Sequence, residues 1–122
     1  MTTPCALVIE DDRDLATIFS QALRAAGFEV ETVATRDAAL ERLAALTPHV
    51  VTLDLHLQQA KGSDALHYIR SEPRLAEVKV IVTTADSAMA EALQEEADVV
   101  FVKPISFAQL RDLAIRLRPT MP

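Results

Sequence analysis

The sequence predicts an α/β fold, with five parallel strands in one sheet and five helices covering its two faces. Short runs of apolar and β-branched residues alternate five times with longer stretches of helical period. The connections between them are short, so each helix returns the chain by a right-handed crossover to a parallel strand. The result is a doubly wound sheet, for which we expect the strand order 2-1-3-4-5.

The predicted strands are the five short apolar runs. They cover residues 5–9, 28–33, 50–53, 78–83 and 99–102. The first, third and fourth are nearly all apolar, as expected for parallel strands that are buried on both faces. No linker, repeat or low-complexity segment separates the units, so residues 1–122 are predicted to form a single domain.

The five helices are recognised from the residues at their ends. The first stops at Gly27, which suits the left-handed position after a helix. The second begins at an N-cap Thr35, and the third follows Gly62. The fourth is short, at residues 87–95, and the fifth opens at Ser106 with a Ser-x-x-Gln capping box.

Composition excludes several classes of function. The chain carries 18 acidic and 12 basic residues and has no Lys/Arg run, so we expect no nucleic-acid binding by this domain. Cys5 is the only cysteine, which excludes an intrachain disulfide and suits a reducing cytosol. No signal-peptide pattern and no membrane-spanning apolar run is present. We therefore expect a soluble, cytoplasmic protein without membrane contact.

Carboxylates follow two strands of the predicted sheet. Glu10, Asp11 and Asp12 come directly after the first strand, and Asp54 comes after the third. In the order 2-1-3-4-5 these strands are neighbours at the point where the strand order reverses, so the carboxylates converge there. Converging like charges raise one another's pKa and favour a bound cation. Carboxylate oxygens with room for water suit Mg²⁺.

The ends of the fourth and fifth strands add two further polar groups. Thr84 offers a hydroxyl, and Lys103 offers a point positive charge that can pair with a phosphoryl group. Pro104 permits a cis peptide bond that would aim the lysine inward. A cation site, a nucleophile, a hydroxyl and an ammonium together form the set that phosphoryl transfer requires.

With these residues the chain resembles the receiver domain of two-component response regulators over essentially its whole length. The matching features are the acidic cluster, Asp54, Gly62, Thr84-Ala85 and Lys103-Pro104. The resemblance implies a flavodoxin-like fold in which Asp54 accepts a phosphoryl group. The donor would be the phosphohistidine of a sensor histidine kinase or of a histidine phosphotransfer protein. Beyond this Mg²⁺-dependent self-phosphorylation and the autodephosphorylation that removes the phosphoryl group, no enzymatic activity is implied.

The resemblance also implies a role for each residue of the metal site. Asp11 would be a direct Mg²⁺ ligand, and Glu10 would act through a water molecule. Asp54 and the backbone carbonyl of His56 would complete the protein ligands.

Around the phosphoryl group, the resemblance implies that Thr84 donates a hydrogen bond to an oxygen and that Lys103 forms an ion pair. His56 and Asp86 occupy positions that influence the access of hydrolytic water in this family. These two residues are therefore expected to set the lifetime of the signal.

The sequence departs from the family at four places, one of which is Glu96, which stands where glycine is common before Ala97-Asp98. Gln58 stands where proline is common, so we expect a more mobile loop at residues 55–61. The stretch from Thr84 to the lysine is short, which places a deletion in the loop or helix after the fourth strand. Val100 replaces the usual switch aromatic, and Phe101 points to the opposite sheet face because strand residues alternate. Thr84 is therefore expected to act on the fourth helix rather than on a ring.

These departures leave a second class of function open. A receiver-like interaction module would bind partners without being phosphorylated, and Val100 and the short fourth helix are the features in its favour. In both cases the output would be read by a partner protein or by an effector domain that follows the fifth helix.

Overall fold

The computed structural model describes residues 3–57 and 61–119. Within these residues one sheet of five parallel strands has the order β2-β1-β3-β4-β5, which confirms the predicted topology. Each strand begins and ends within one residue of its predicted bounds. The strands are β1 (Cys5–Ile9), β2 (Glu29–Val33), β3 (Val50–Asp54), β4 (Lys79–Thr84) and β5 (Val99–Val102).

In the described part of the chain, five α-helices connect and cover the strands. They are α1 (Arg13–Ala25), α2 (Arg36–Ala45), α3 (Ser63–Ser71), α4 (Ser87–Ala92) and α5 (Phe107–Leu117), and a 3-10 turn lies at Pro73–Leu75. The predicted end signals are present: the Thr35 hydroxyl accepts a hydrogen bond from the amide of Ala38, and Ser106 forms a complete capping box. Gly27 follows α1 with φ of 99°, a conformation that L side chains rarely adopt.

The helix α4 is shorter than predicted, because it ends at Ala92 rather than at residue 95. Its end is imposed by a long-range contact. The Asp98 carboxylate accepts hydrogen bonds from the amide of Val80 at 2.7 Å and from Arg70 at 2.9 Å. Since Asp98 is held at the start of β4, the residues after α4 must return to the sheet and cannot continue the helix.

Two apolar layers enclose the sheet, one on each face. The α1/α5 face contains Val8, Phe19, Leu23, Ile81 and Leu110, and the α2/α3 face contains Leu7, Leu43, Leu53, Leu66 and Val82. Adjacent strand residues alternate between these faces. Val100 accordingly packs on the α2/α3 face and Phe101 on the α1/α5 face. Gln58 lies outside the described residues, as does part of the loop that was expected to be mobile.

Candidate functional site

Three carboxylates converge at the carboxyl edge of the sheet. Glu10, Asp11 and Asp54 each offer one oxygen, and these oxygens lie within 4.8 Å of one another. The strands β1 and β3 pair side by side, with Ile9 opposite Leu53, so the residues that follow them meet at one place. Glu10 and Asp54 are both 3% exposed, and Asp11 is half-buried. The structure thus brings together three of the four carboxylates that were expected to converge, whereas Asp12 caps α1 by accepting a hydrogen bond from the amide of Leu15 at 3.0 Å.

The ammonium of Lys103 partly compensates this negative charge. Its Nζ lies 3.2 Å from Oε1 of Glu10 and 3.6 Å from Oδ1 of Asp54. The compensation is incomplete, because burial and then the neighbouring Asp54 raise the pKa of Glu10 from 4.5 to about 7. A carboxyl group that is half protonated near neutral pH indicates a site in which another cation would be stabilising.

The position of Asp54 is fixed by the loop that follows it. Its Oδ1 accepts a hydrogen bond from the backbone amide of His56 at 3.1 Å. The chain then returns so closely that a Cβ atom on Gly62 would stand 2.2 Å from the carbonyl oxygen of Asp54 and 2.8 Å from the Cα of Leu55. Glycine is therefore required at position 62 by a close backbone approach, while the side chain of His56 remains exposed.

Thr84 links this site to the start of α4. Its side chain is fully buried, and its Oγ1 accepts a hydrogen bond from the backbone amide of Asp86 at 3.0 Å. The carboxylate of Asp86 in turn caps α4 by accepting from the amides of Ala88 and Met89. The structure thus gives Asp86 an N-capping role that the sequence analysis did not predict.

The chain returns to the site at the end of β5. The carbonyl of Thr84 accepts a hydrogen bond from the amide of Lys103 at 2.7 Å. The peptide bond between Lys103 and Pro104 is cis, in agreement with the arrangement that the proline permits. Val100 lies below the edge and presents no aromatic ring, as the sequence indicated.

One polar residue beside Asp54 was missed by the sequence analysis. Thr83 lies opposite Asp54 in the sheet register and is 2% exposed. Its hydroxyl is buried without a hydrogen-bond partner among the described residues, as is that of Thr52 two positions before Asp54. Threonine is common in strands because its β propensity is high. The sequence therefore does not indicate that either hydroxyl would be buried without a partner among the described residues.

The family model described as the response regulator receiver domain matches residues 6–115. The chain therefore belongs to the receiver domain family of two-component response regulators. Among the described residues, every helix is too short or too polar to span a bilayer.

Two curated relatives illustrate this membership. The chain is 32% identical over 110 residues to the phosphate regulon transcriptional regulatory protein PhoB of Rhizobium meliloti, covering 88% of this chain and 48% of PhoB. It is 34% identical over 116 residues to the probable transcriptional regulatory protein TcrX of Mycobacterium tuberculosis, covering 92% of this chain and 47% of TcrX. The chain thus spans about half the length of the curated relatives it matches.

Solved structures share the fold. A putative response regulator from Chloroflexus aurantiacus superposes with a TM-score of 0.85 at 23% identity, covering 95% of this chain and 98% of that one. The response regulator TrrA from Thermotoga maritima, solved in complex with Mg(2+)-BeF, has a TM-score of 0.81 at 24% identity. That comparison covers 93% of this chain and 98% of TrrA.

Proposed function

We propose that Asp54 is the phosphoacceptor of this receiver domain and that its phosphorylation depends on Mg²⁺ held by Glu10, Asp11 and Asp54. One observation supports this above all. Three carboxylate oxygens lie within 4.8 Å of one another, next to the ammonium of Lys103. This donor set matches the oxygen ligands that Mg²⁺ takes in proteins, where it keeps several waters.

The metal would supply neutralisation of the negative charge on the phosphoryl oxygens. Glu10 would contribute through a water molecule, and the backbone carbonyl of His56 would add a further ligand. The amide of His56 already holds Oδ1 of Asp54 in place. Because the carboxylate is oriented before any donor arrives, little reorganisation is needed for the reaction.

The reaction is a transfer between two side chains. A carboxylate oxygen of Asp54 forms a bond to phosphorus, and the bond between phosphorus and the imidazole nitrogen of a partner's phosphohistidine breaks. The electron pair of the broken bond stays on that nitrogen, which takes a proton from solvent. The products are an acyl phosphate on Asp54 and a neutral histidine, and hydrolysis of the acyl phosphate ends the signal.

Lys103 and Thr84 act on the transferred group from either side. The Lys103 ammonium, already 3.6 Å from Asp54, would pair with a phosphoryl oxygen. The Thr84 hydroxyl accepts from the amide of Asp86, so its own proton is free to donate to another phosphoryl oxygen. Any movement of Thr84 then reaches the N-cap of α4 through Asp86.

The output of the domain would be read by another protein or by an attached effector domain. The relatives PhoB and TcrX are named transcriptional regulatory proteins, and this chain matches about half of each. We assign the upstream partner to the sensor histidine kinases or histidine phosphotransfer proteins and the location to the cytoplasm. Asp86 and His56, which stand beside the site, would set the lifetime of the acyl phosphate.

Intact-mass measurement after incubation with Mg²⁺ and a small acyl phosphate donor tests the proposal. We expect a mass gain of one phosphoryl group in the unmodified protein, and no gain in Asp54→Ala or in the presence of a chelator. Asp112→Ala, which removes an exposed carboxylate on α5, is the matched control and should gain the same mass. No gain and no binding of a phosphoryl mimic would favour the interaction module instead.

A further inference from the structure

The helix α4 has fewer stabilising features than any other α-helix in the described part of the chain. It has six residues, and Ala90 is the one residue that it buries. It has no acidic residue in its first turn and no basic residue in its last turn. Each of the other four described helices has such a charge at one end or both and buries two or more residues. Because helices this short are marginal in water without tertiary support, the cap at the N-terminus of α4 is important for its stability.

Asp86 supplies that cap and is bound to Thr84 at the same time. Its carboxylate Oδ1 accepts hydrogen bonds from the amide of Ala88 at 3.0 Å and from the amide of Met89 at 3.2 Å. Its backbone amide donates to Oγ1 of Thr84 at 3.0 Å. Since one residue makes both contacts, the hydroxyl of Thr84 and the first turn of α4 are coupled.

The residues that follow α4 are held in place by contacts with other elements. Arg70 donates hydrogen bonds to the carbonyl of Glu96 at 2.6 Å and to the carboxylate of Asp98 at 2.9 Å. Asp98 also accepts a hydrogen bond from the amide of Val80, on β4, at 2.7 Å. Because the chain is fixed at this end, α4 cannot follow a displacement of Asp86 by sliding as a rigid body. Such a displacement opens the first turn of the helix instead.

Thr84 has to leave Asp86 in order to bind a phosphoryl group on Asp54. Thr83 lies opposite Asp54 in the sheet register, so Thr84, the next residue of β4, points to the other face of the sheet. The Thr84 hydroxyl must therefore turn across the carboxyl edge of the sheet to reach the phosphoryl group. As it turns, its oxygen moves away from the amide of Asp86.

We propose that the Asp86 cap of α4 is an autoinhibitory contact, which opens when Thr84 binds a phosphoryl group on Asp54. This inference rests on the proposed phosphoacceptor function and adds its regulation. The intact cap stabilises the unphosphorylated state, because it is lost when the Thr84 hydroxyl turns. The coupling is reciprocal, so removal of the cap favours binding of the phosphoryl group, and a partner that binds the folded α4 opposes it.

Two substitutions of Asp86 test this contact without a difference in charge between them. Asp86→Asn removes the charge but keeps a good N-cap, whereas Asp86→Ala removes both. With Mg²⁺ present, we expect Asp86→Ala to bind the phosphoryl mimic beryllofluoride about fivefold more tightly than Asp86→Asn does, since an N-cap stabilises a helix by about this factor. Equal affinities, or weaker binding by Asp86→Ala, would overturn the inference.

Amide hydrogen exchange shows whether α4 opens. The amides of Ala90 and Leu93 report on the helix, because they donate to the carbonyls of Asp86 at 3.0 Å and of Met89 at 3.2 Å. Mg²⁺ and beryllofluoride should accelerate the exchange of both amides about fivefold or more, and Asp86→Ala should show this acceleration before either is added. Ser106→Ala, which removes the cap of the longer helix α5, is the control and should leave both amides unchanged. Unchanged exchange in protein that has bound beryllofluoride would overturn the inference.

Failure of the autoinhibitory contact is distinguishable from failure of the phosphoacceptor function. If Asp54 is not the acceptor, the unmodified protein gains no phosphoryl mass and binds no beryllofluoride, as is expected of Asp54→Ala. If the autoinhibitory contact alone is wrong, the mass gain and beryllofluoride binding occur, but Asp86→Ala and Asp86→Asn have the same affinity. Equally slow exchange of α4 in these two variants without Mg²⁺ would overturn the autoinhibitory contact whatever the outcome at Asp54.

Discussion

The backbone amide of Asp86 donates a hydrogen bond to the hydroxyl of Thr84, with 3.0 Å between the two atoms. This contact joins the edge of the sheet to the first turn of α4, because the side chain of Asp86 also caps that helix. The coupling requires no aromatic ring, and position 100 supplies none. A change at Thr84 therefore has a short path to α4.

We predict that phosphorylation of Asp54 changes the environment of α4. Addition of Mg²⁺ and a phosphoryl mimic should shift the amide resonances of residues 87–92, because Thr84 and the cap move together. Thr84→Val, which is nearly isosteric, should remove most of these shifts. Thr83→Val is the matched control and should retain them. Nearly unchanged shifts in the unmodified protein would show that the signal leaves by another route.

The pKa of Glu10 predicts how stability depends on pH. Burial and Asp54 raise it from 4.5 to about 7, so the folded protein binds this proton more tightly than the unfolded chain does. The stability that the folded state gains from this tighter proton binding is fully present below pH 4.5 and is lost as the pH rises through about 7. This contribution to the free energy of unfolding is at most ~3 kcal/mol.

Urea unfolding of the metal-free protein at pH 5 and pH 8 measures this contribution. Glu10→Gln should be more stable than the unmodified protein at pH 8 and should lose the difference at pH 5. Glu29→Gln, on an exposed strand position, is the control. Mg²⁺ should stabilise the unmodified protein more at pH 8 than at pH 5, because protons compete for Glu10. The same stability difference at both pH values would contradict the raised pKa.

Gly62→Ala should be severely destabilising. The added Cβ would stand 2.2 Å from the backbone carbonyl oxygen of Asp54, and backbone cannot move aside as a flexible side chain can. We expect a loss of ~3 kcal/mol or more in the free energy of unfolding, together with slower phosphorylation of Asp54.

Gly27→Ala is the informative comparison for that variant. Its φ of 99° makes alanine strained, but the nearest atom to a new Cβ is the end of the flexible Arg118 side chain at 3.1 Å. We expect a loss of only ~1 kcal/mol and unchanged phosphorylation. A loss from Gly62→Ala no larger than that from Gly27→Ala would contradict the steric explanation for position 62, because Gly62 has an ordinary helical φ of -62° that alanine adopts without strain.

Thr52→Val and Thr83→Val should each stabilise the protein. Both hydroxyls are buried without a partner among the described residues, so their removal relieves a desolvation cost at unchanged shape. We expect a gain of ~1 kcal/mol for each in thermal or urea unfolding. Thr83 lies opposite Asp54 in the sheet register. A loss of stability in Thr83→Val, but not in Thr52→Val, would show that the Thr83 hydroxyl has a partner near Asp54.

The sequence predicted those features that local signals determine. Glycine, proline and capping residues mark the helix ends, and the position of Asp54 at a strand end follows from the sheet topology. The end of α4 could not be predicted, because the Asp98 carboxylate that fixes it reaches Val80 on another strand. The need for glycine at position 62 was likewise invisible, because it arises where the backbone folds back on Asp54.

The alternation of strand residues also places the carboxylates of the site and the responding threonine on opposite faces of the sheet. Glu10 and Asp54 continue the alternation of Val8 and Val50 on the α1/α5 face, whereas Thr84 continues that of Val82 on the α2/α3 face. The sheet thus separates its two faces everywhere except along its carboxyl edge. A phosphoryl group on Asp54 would therefore affect the α2/α3 face only across that edge, where Thr84 lies.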